Sequence, residues 1–210
     1  MLKSALLLLI SFILSVDCLA SEQNLNKDKD KSSKLSKFNT KDHPKALGYE
    51  IEITYPSSWE KSEGNRPHIV QKFSNPNSEI TTTCLLLIKK LDYTFTKEEE
   101  EKLVDIIKPE DIVPKGSELI STKKTLYDNH PGLYYLTYMK SEMATVKLHN
   151  ITENNVFFYK NIGIQIQCSV ASLQSSTTKE QLIQKYFQEK PNFLLISSSI
   201  ITLDQYNDVD

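Results

Sequence analysis

Histidines, cysteines and clustered carboxylates are the usual material of acid–base, nucleophilic and metal chemistry, and in this chain they are few and dispersed. His43, His68, His130 and His149 form no pair with the spacing of a helical or hairpin metal site. Beyond Cys18 the sequence has only Cys84 and Cys168, too few for a structural zinc set. No glycine-rich phosphate loop or nucleophile elbow is present. His130 stands among turn-forming residues, Tyr127 to Gly132, and is expected to be a solvent-exposed turn residue rather than a base. The carboxylates Glu98 to Glu101 read as a solvated helix start, since a calcium site needs oxygens converging from a loop. Asn150-Ile151-Thr152 has the glycosylation pattern but falls in or beside a strand. A dispersed Ser-His-Asp set is the one catalytic arrangement that residue order leaves open. No catalytic residue, metal ligand or cofactor is assigned, and a non-enzymatic protein is expected.

What Cys84 and Cys168 do depends on the compartment. Met1-Leu2-Lys3 gives a positive start, Ala5 to Val16 is almost unbroken apolar sequence, and Cys18-Leu19-Ala20 resembles a signal-peptidase site. The apolar run is about a dozen residues against the ~20 that a membrane span requires, so residues 1–20 read as a cleaved secretory signal, with no stable membrane anchor afterwards. Asp17 before Cys18 argues against lipidation. A secreted or periplasmic location follows, and in an oxidising compartment Cys84 and Cys168 have two readings: a disulfide, or two buried strand cysteines acting as small hydrophobes.

Residues 21–45 are rich in lysine, serine, asparagine and aspartate, with Leu25, Leu35 and Phe38 as their large apolar residues. Seven lysines against four acidic residues make the segment basic, and the composition predicts a disordered linker. The whole chain has formal net charge −2, so residues 46–210 are acidic, and nucleic-acid binding by the folded part is not expected. Arg66 is the sole arginine, which limits bidentate recognition of phosphate or carboxylate to one side chain.

Residues 46–210 are long enough for one domain with a real core. Tyr49, Ile51, Ile53 and Tyr55 alternate with polar residues and predict a strand that Pro56 ends. Strands are also predicted at His68 to Phe73 and Glu79 to Leu91, the latter apolar on both faces and hence central. Thr96 with Glu99 makes a capping box before the stripe Leu103, Val104, Ile106 and Ile107, a helix that Pro109 follows. Strands follow at Ser117 to Leu126 and Leu133 to Lys140, then at Ala144 to Ile151 and Val156 to Lys160 with a turn at Thr152 to Asn155. The last clear strand carries Ile162, Ile164, Ile166, Cys168 and Val170 against Gly163, Gln165, Gln167 and Ser169. Thr177 with Glu180 opens a second helix, and beyond Pro191 the run Phe193, Ile196, Ile200 and Leu203 fits a helix while its serines and isoleucines also fit a strand. The elements describe an α+β fold: an α/β/α sandwich with a central antiparallel sheet of about six or seven strands and helices on both faces.

The segments "GYEIEITYPSSWEKSEG", "KTLYDNHPGLYYLTY", "NVFFYKNIGIQIQCSV" and "FLLISSSI" together resemble the PsbP-like superfamily, which includes lumenal photosystem subunits, bacterial DcrB-type secreted and envelope proteins, and a Ran-binding protein. The resemblance implies structural roles for Pro56, which stops the strand, and Trp59, which plugs the edge of the core. It implies no activity, because functions diverge across that group.

Aromatic residues concentrate at Tyr127, Tyr134, Tyr135, Tyr138, Phe157, Phe158 and Tyr159. All can be core beneath helices, or Tyr134, Leu136 and Tyr138 can leave a partly open apolar patch that docks a partner. The expected function is a secreted or periplasmic accessory protein acting through contacts with an envelope or secreted protein. The alternatives are a carrier of a small apolar ligand and a hydrolase with a dispersed site.

Overall fold

Period-two patterning governs most of the chain, and strands follow from it. The computed structural model describes residues 34–78, 80–143, 146–174 and 176–207. The expected signal sequence and the first part of the expected linker lie outside them. In chain order the elements are β1 (Leu35–Asn39), β2 (Ile51–Pro56), β3 (Glu60–Glu63), β4 (Ile69–Ser74), β5 (Thr81–Lys90), helix α1 (Lys97–Ile106) and the single turn α2 (Pro109–Ile112). They continue with β6 (Ser117–Tyr127), β7 (His130–Met143), β8 (Val146–Tyr159), β9 (Ile162–Ser172), the long helix α3 (Lys179–Ser198), β10 (Ile201–Thr202) and α4 (Asp204–Asn207).

Seven strands form one antiparallel sheet in the order β3-β4-β5-β9-β8-β7-β6. A small sheet, β1-β2-β10, lies beside α3 on one face, and α1 packs on β7 and β8 on the other. The architecture is the expected α+β sandwich with helices on both faces, with the small sheet as an added part of the α3 layer. The larger core lies on the α3 side. There Ile162, Ile164, Ile166, Cys168 and Val170 of β9 meet Ile51 and Ile53 of β2 and Leu182, Tyr186, Phe193 and Ile196 of α3. A second core, around Leu103, Val104, Tyr135 and Phe158, lies under α1. Trp59 is buried and stands edge-on to Phe193 with ring centroids 6.3 Å apart, and Pro56 is the last residue of β2.

Cys84 and Cys168 are direct partners in the β5–β9 register, fully buried and joined by a disulfide. The bond ties two strands at the middle of the sheet that are 84 residues apart in sequence.

Four local expectations change. The linker expected to reach Lys45 contains β1, which pairs with β2 and sends Phe38 into the core, edge-on to Phe73. The backbone ladder of a neighbouring strand supports this polar segment, a contribution that composition does not register. The turn expected at Thr152 to Asn155 does not form: all four residues lie within β8, paired on both sides with β7 and β9. The β6–β7 turn narrows to Asp128 and Asn129, with φ of 46° and 67°, the left-handed pair that a two-residue hairpin requires. At Gly132 a Cβ would lie 2.5 Å from the Val156 carbonyl oxygen and 2.7 Å from the Tyr127 ring, so only glycine allows this close approach. Helix α3 starts one residue later than expected, with Thr178 and Gln181 forming the capping box. It continues through Pro191, because Tyr186 before the proline and Phe193 and Ile196 after it are all buried, and this offsets a break of about 3 kcal/mol.

Replacing Cys84 and Cys168 together by alanine is expected to lower unfolding free energy by about 4 to 5 kcal/mol, from the length of the closed loop. Urea denaturation of the oxidised protein against the double variant measures it. Tyr135, buried under α1, is expected to cost about 3 to 5 kcal/mol on replacement by alanine, read in the same assay.

Candidate functional site

Polar side chains in the middle of a fully paired strand are costly unless every group is satisfied. Thr152, Glu153, Asn154 and Asn155 are each 3–5% exposed. Strand alternation sends Glu153 and Asn155 toward α3 and Thr152 and Asn154 toward the α1 side.

On the α3 side, the two Glu153 carboxylate oxygens accept from neutral donors, the Tyr186 hydroxyl at 2.6 Å and Asn155 Nδ2 at 3.1 Å. The Tyr127 hydroxyl donates to Asn155 Oδ1 at 2.7 Å, and the Tyr134 and Tyr186 hydroxyls are 3.1 Å apart. Burial raises the pKa of Tyr127, Tyr134 and Tyr186, and the Glu153 charge raises all three further, although the bond to Tyr186 partly opposes the rise at Tyr134. These phenols are held as donors. The network locks α3 to β8 and buries Glu153 beneath the helix.

On the α1 side, the face grades from apolar to polar along the strands. Leu133, Val156, Gln165 and Leu87 lie in one row across four strands, Tyr135, Asn154, Gln167 and Leu85 in the next, and Thr137, Thr152, Ser169 and Thr83 in a third. Gln165 Nε2 donates to Asn154 Oδ1 at 2.7 Å, and Asn150 Nδ2 donates to Thr152 Oγ1 at 3.3 Å. A cleft opens over these rows, with Pro114 and Ser117 on one wall and Tyr135, Asn150, Thr152 and Gln167 on its floor. Its volume is about 30 Å³ and no charged residue lines it. Within it Asn150 Oδ1, Gln167 Oε1 and Ser117 Oγ are buried atoms without a hydrogen-bond partner. The lining offers amides, hydroxyls and one phenol as hydrogen-bonding groups, with no carboxylate, imidazole or thiol among them.

His130, expected to be exposed, is 8% exposed, stacked on Phe157 and edge-on to Tyr159. Its Nδ1 lies 3.0 Å from Glu100 Oε2, and its Nε2 lies 3.2 Å from Gln205 Oε1. Gln205 is oriented by Asp128, to which its Nε2 donates, and Asp128 also accepts from the Thr202 amide, the Thr202 hydroxyl and the Tyr206 hydroxyl. The ring thereby bridges the Glu100 carboxylate on one side and the Gln205 amide on the other. The tight turn recruits the C-terminal segment and α1 through this relay, which is why the histidine is inside. Glu100, expected within a solvated helix start, is buried for the same reason.

The residues expected to form an interaction patch are not an open surface. Leu136 is 7% exposed, Tyr134 reaches Tyr186, and Tyr138 lies under Lys179 with Nζ 4.9 Å from the ring centroid. Helix α3 covers them, and its own outward side instead presents Phe187 at 60% and Leu194 at 58% exposure, with exposed Pro191 between. The alternation Gly163, Gln165, Gln167 and Ser169 in the sequence was the available signal for the polar cleft; reading Thr152 to Asn155 as a turn hid its other half. Among the described residues no group of three or more His, Cys, Asp or Glu is placed to hold a metal ion, and no helix is long and apolar enough to cross a membrane.

No family model matches the sequence, and no curated protein matches it. Among solved structures, the chain is similar to LpqN, involved in cell envelope biogenesis of Mycobacterium tuberculosis, with a TM-score of 0.48 and 7% identity over 80% of this chain and 91% of that one. It is similar to the Saccharomyces cerevisiae Ran-binding protein Mog1p, with a TM-score of 0.48 and 11% identity over 83% of this chain and 98% of that one. A Bacteroides thetaiotaomicron protein matches with a TM-score of 0.31 and 14% identity over 72% and 44% of the two chains.

Replacing His130 by leucine leaves the buried Glu100 carboxylate without its donor and is expected to cost about 3 kcal/mol. Adding Glu100→Leu is expected to recover much of that loss, and a double-mutant cycle in urea reads the coupling. The protein is also expected to lose stability above about pH 10. There the unfolded chain gives up its tyrosine protons, while Tyr127, Tyr134, Tyr135 and Tyr186, raised by burial, keep theirs, so the native state binds more protons and stability falls as pH rises. Below that pH the contribution is fully present. Tyrosinate absorbance and circular dichroism, followed together in an alkaline titration, are expected to change in one transition.

Proposed function

We propose that this chain is an exported accessory protein, of the kind found among DcrB-type envelope proteins, that acts by binding a protein partner and not by catalysis. The observation that carries the reading is the outward side of α3. Phe187, Pro191 and Leu194 fall at i, i+4 and i+7, one side of a helix whose opposite side is core, and the first and last are more than half exposed. Lys190 places Nζ 5.6 Å from the Phe187 ring centroid, giving the apolar stripe a cationic rim. The apolar run Ala5 to Val16 supports export, and a buried disulfide suits an oxidising compartment. The uncharged lining of the cleft supports binding over hydrolysis, and its amides and hydroxyls do not suit an apolar ligand.

A photo-crosslinking residue placed at Phe187, in cells that make the protein natively, tests this reading. One protein adduct is expected, absent when the same residue replaces exposed Lys123 and lost in Leu194→Ser, while Leu194→Ser leaves the melting temperature within about 2 °C. Equal labelling from both positions would sink the proposal.

A further inference from the structure

We propose that the cleft on the α1 side of the sheet, opposite α3, is a binding site for a neutral saccharide that enters by a hydroxyl-bearing edge. The inference stands on different residues from the α3 stripe. Three buried polar atoms, Asn150 Oδ1, Gln167 Oε1 and Ser117 Oγ, point to a ligand because they have no protein partner, whereas Glu153 and Asn155 on the opposite face are paired. Two are amide oxygens, which accept only, so the ligand must donate. Anionic and cationic ligands find no counter-charge, since the lining is Pro114, Ser117, Tyr135, Met139 and the amides and hydroxyls of β7, β8 and β9.

A sugar hydroxyl both donates and accepts. It can satisfy Asn150 Oδ1 or Gln167 Oε1 as donor and exchange hydrogen bonds with the Ser117 hydroxyl, while sugar C–H groups lie against Tyr135, Met139 and Pro114. The cavity volume of about 30 Å³ holds roughly two waters, so it takes one hydroxyl or hydroxymethyl arm and not a ring. The rest of the sugar sits at the mouth, where Asn150, Gln167 and Met139 are partly exposed. Specificity then comes from the orientation of that arm, read by rigid strands.

The test is a titration of the oxidised, nitrogen-15-labelled full chain with glucose, galactose and N-acetylglucosamine at millimolar concentrations, following the side-chain amide signals of Asn150 and Gln167. Saturable shifts with at least one sugar are expected, and Gln167→Met should weaken that binding roughly tenfold with the melting temperature unchanged or raised, since it removes an unpaired acceptor. Ser117→Ala, at the partly exposed wall, is the second variant and should also weaken binding if Gln167→Met fails to fold. Absence of saturable shifts with all three sugars overturns the proposal and leaves a site for ordered water only. Shifts that persist undiminished in the variants overturn its placement in this cleft.

Discussion

Strand β8 is hydrogen-bonded along both edges and covered on both faces, so its central polar residues must find their partners inside the protein. Much of the architecture answers to that constraint. Tyr186 on α3 meets Glu153, Tyr127 meets Asn155, and Gln165 meets Asn154, each from a different element. Helix α3 is thereby fixed in register as well as pressed onto an apolar surface. Its apolar contacts alone would tolerate some sliding, whereas the 2.6 Å hydrogen bond from Tyr186 to the Glu153 carboxylate does not.

The same constraint divides the sheet into two unlike faces. Toward α3 the polar groups of β8 close on one another and on tyrosines, and the surrounding aliphatic residues of β9 make a deep core. Toward α1 the short helix covers only the apolar end, because its buried stripe is limited to Glu100, Leu103 and Val104. Amides and hydroxyls occupy the rest, and there the pairing is incomplete. A closed network on one face and an unfilled one on the other separates structural polarity from polarity that is available to a ligand.

The sequence made the strand alternation, the first capping box, the central position of β5 and the sandwich class legible, because each depends on residues close together in the chain. The failures share a cause. Thr152 to Asn155 has turn chemistry, and only β7 and β9 on either side hold it extended. Leu35 to Asn39 is too polar to predict a strand, and the ladder of β2 supplies what its side chains lack. His130 is a turn residue by local context, and residues 30 and 75 positions away bury it. Tyr134, Leu136 and Tyr138 lie beneath α3 and not on an open surface, and the sequence could not tell which side of α3 would face outward, since Tyr186 and Phe187 are adjacent and both aromatic. In each case the deciding partner lies far along the chain.

The small sheet joins β1, from residues 35–39, and β10, from residues 201–202, on either side of β2. A chain delivered from its N-terminal end therefore holds β2 with one edge vacant until residues 201–202 have emerged, and Asp128 waits as long for Thr202 and Gln205. Early segments can collapse, but the pairing of β2 in the small sheet stays incomplete until β10 arrives. Residues near 51 and residues near 202 must both be present before the small sheet is complete, so its closure depends on the whole of the chain that lies between them.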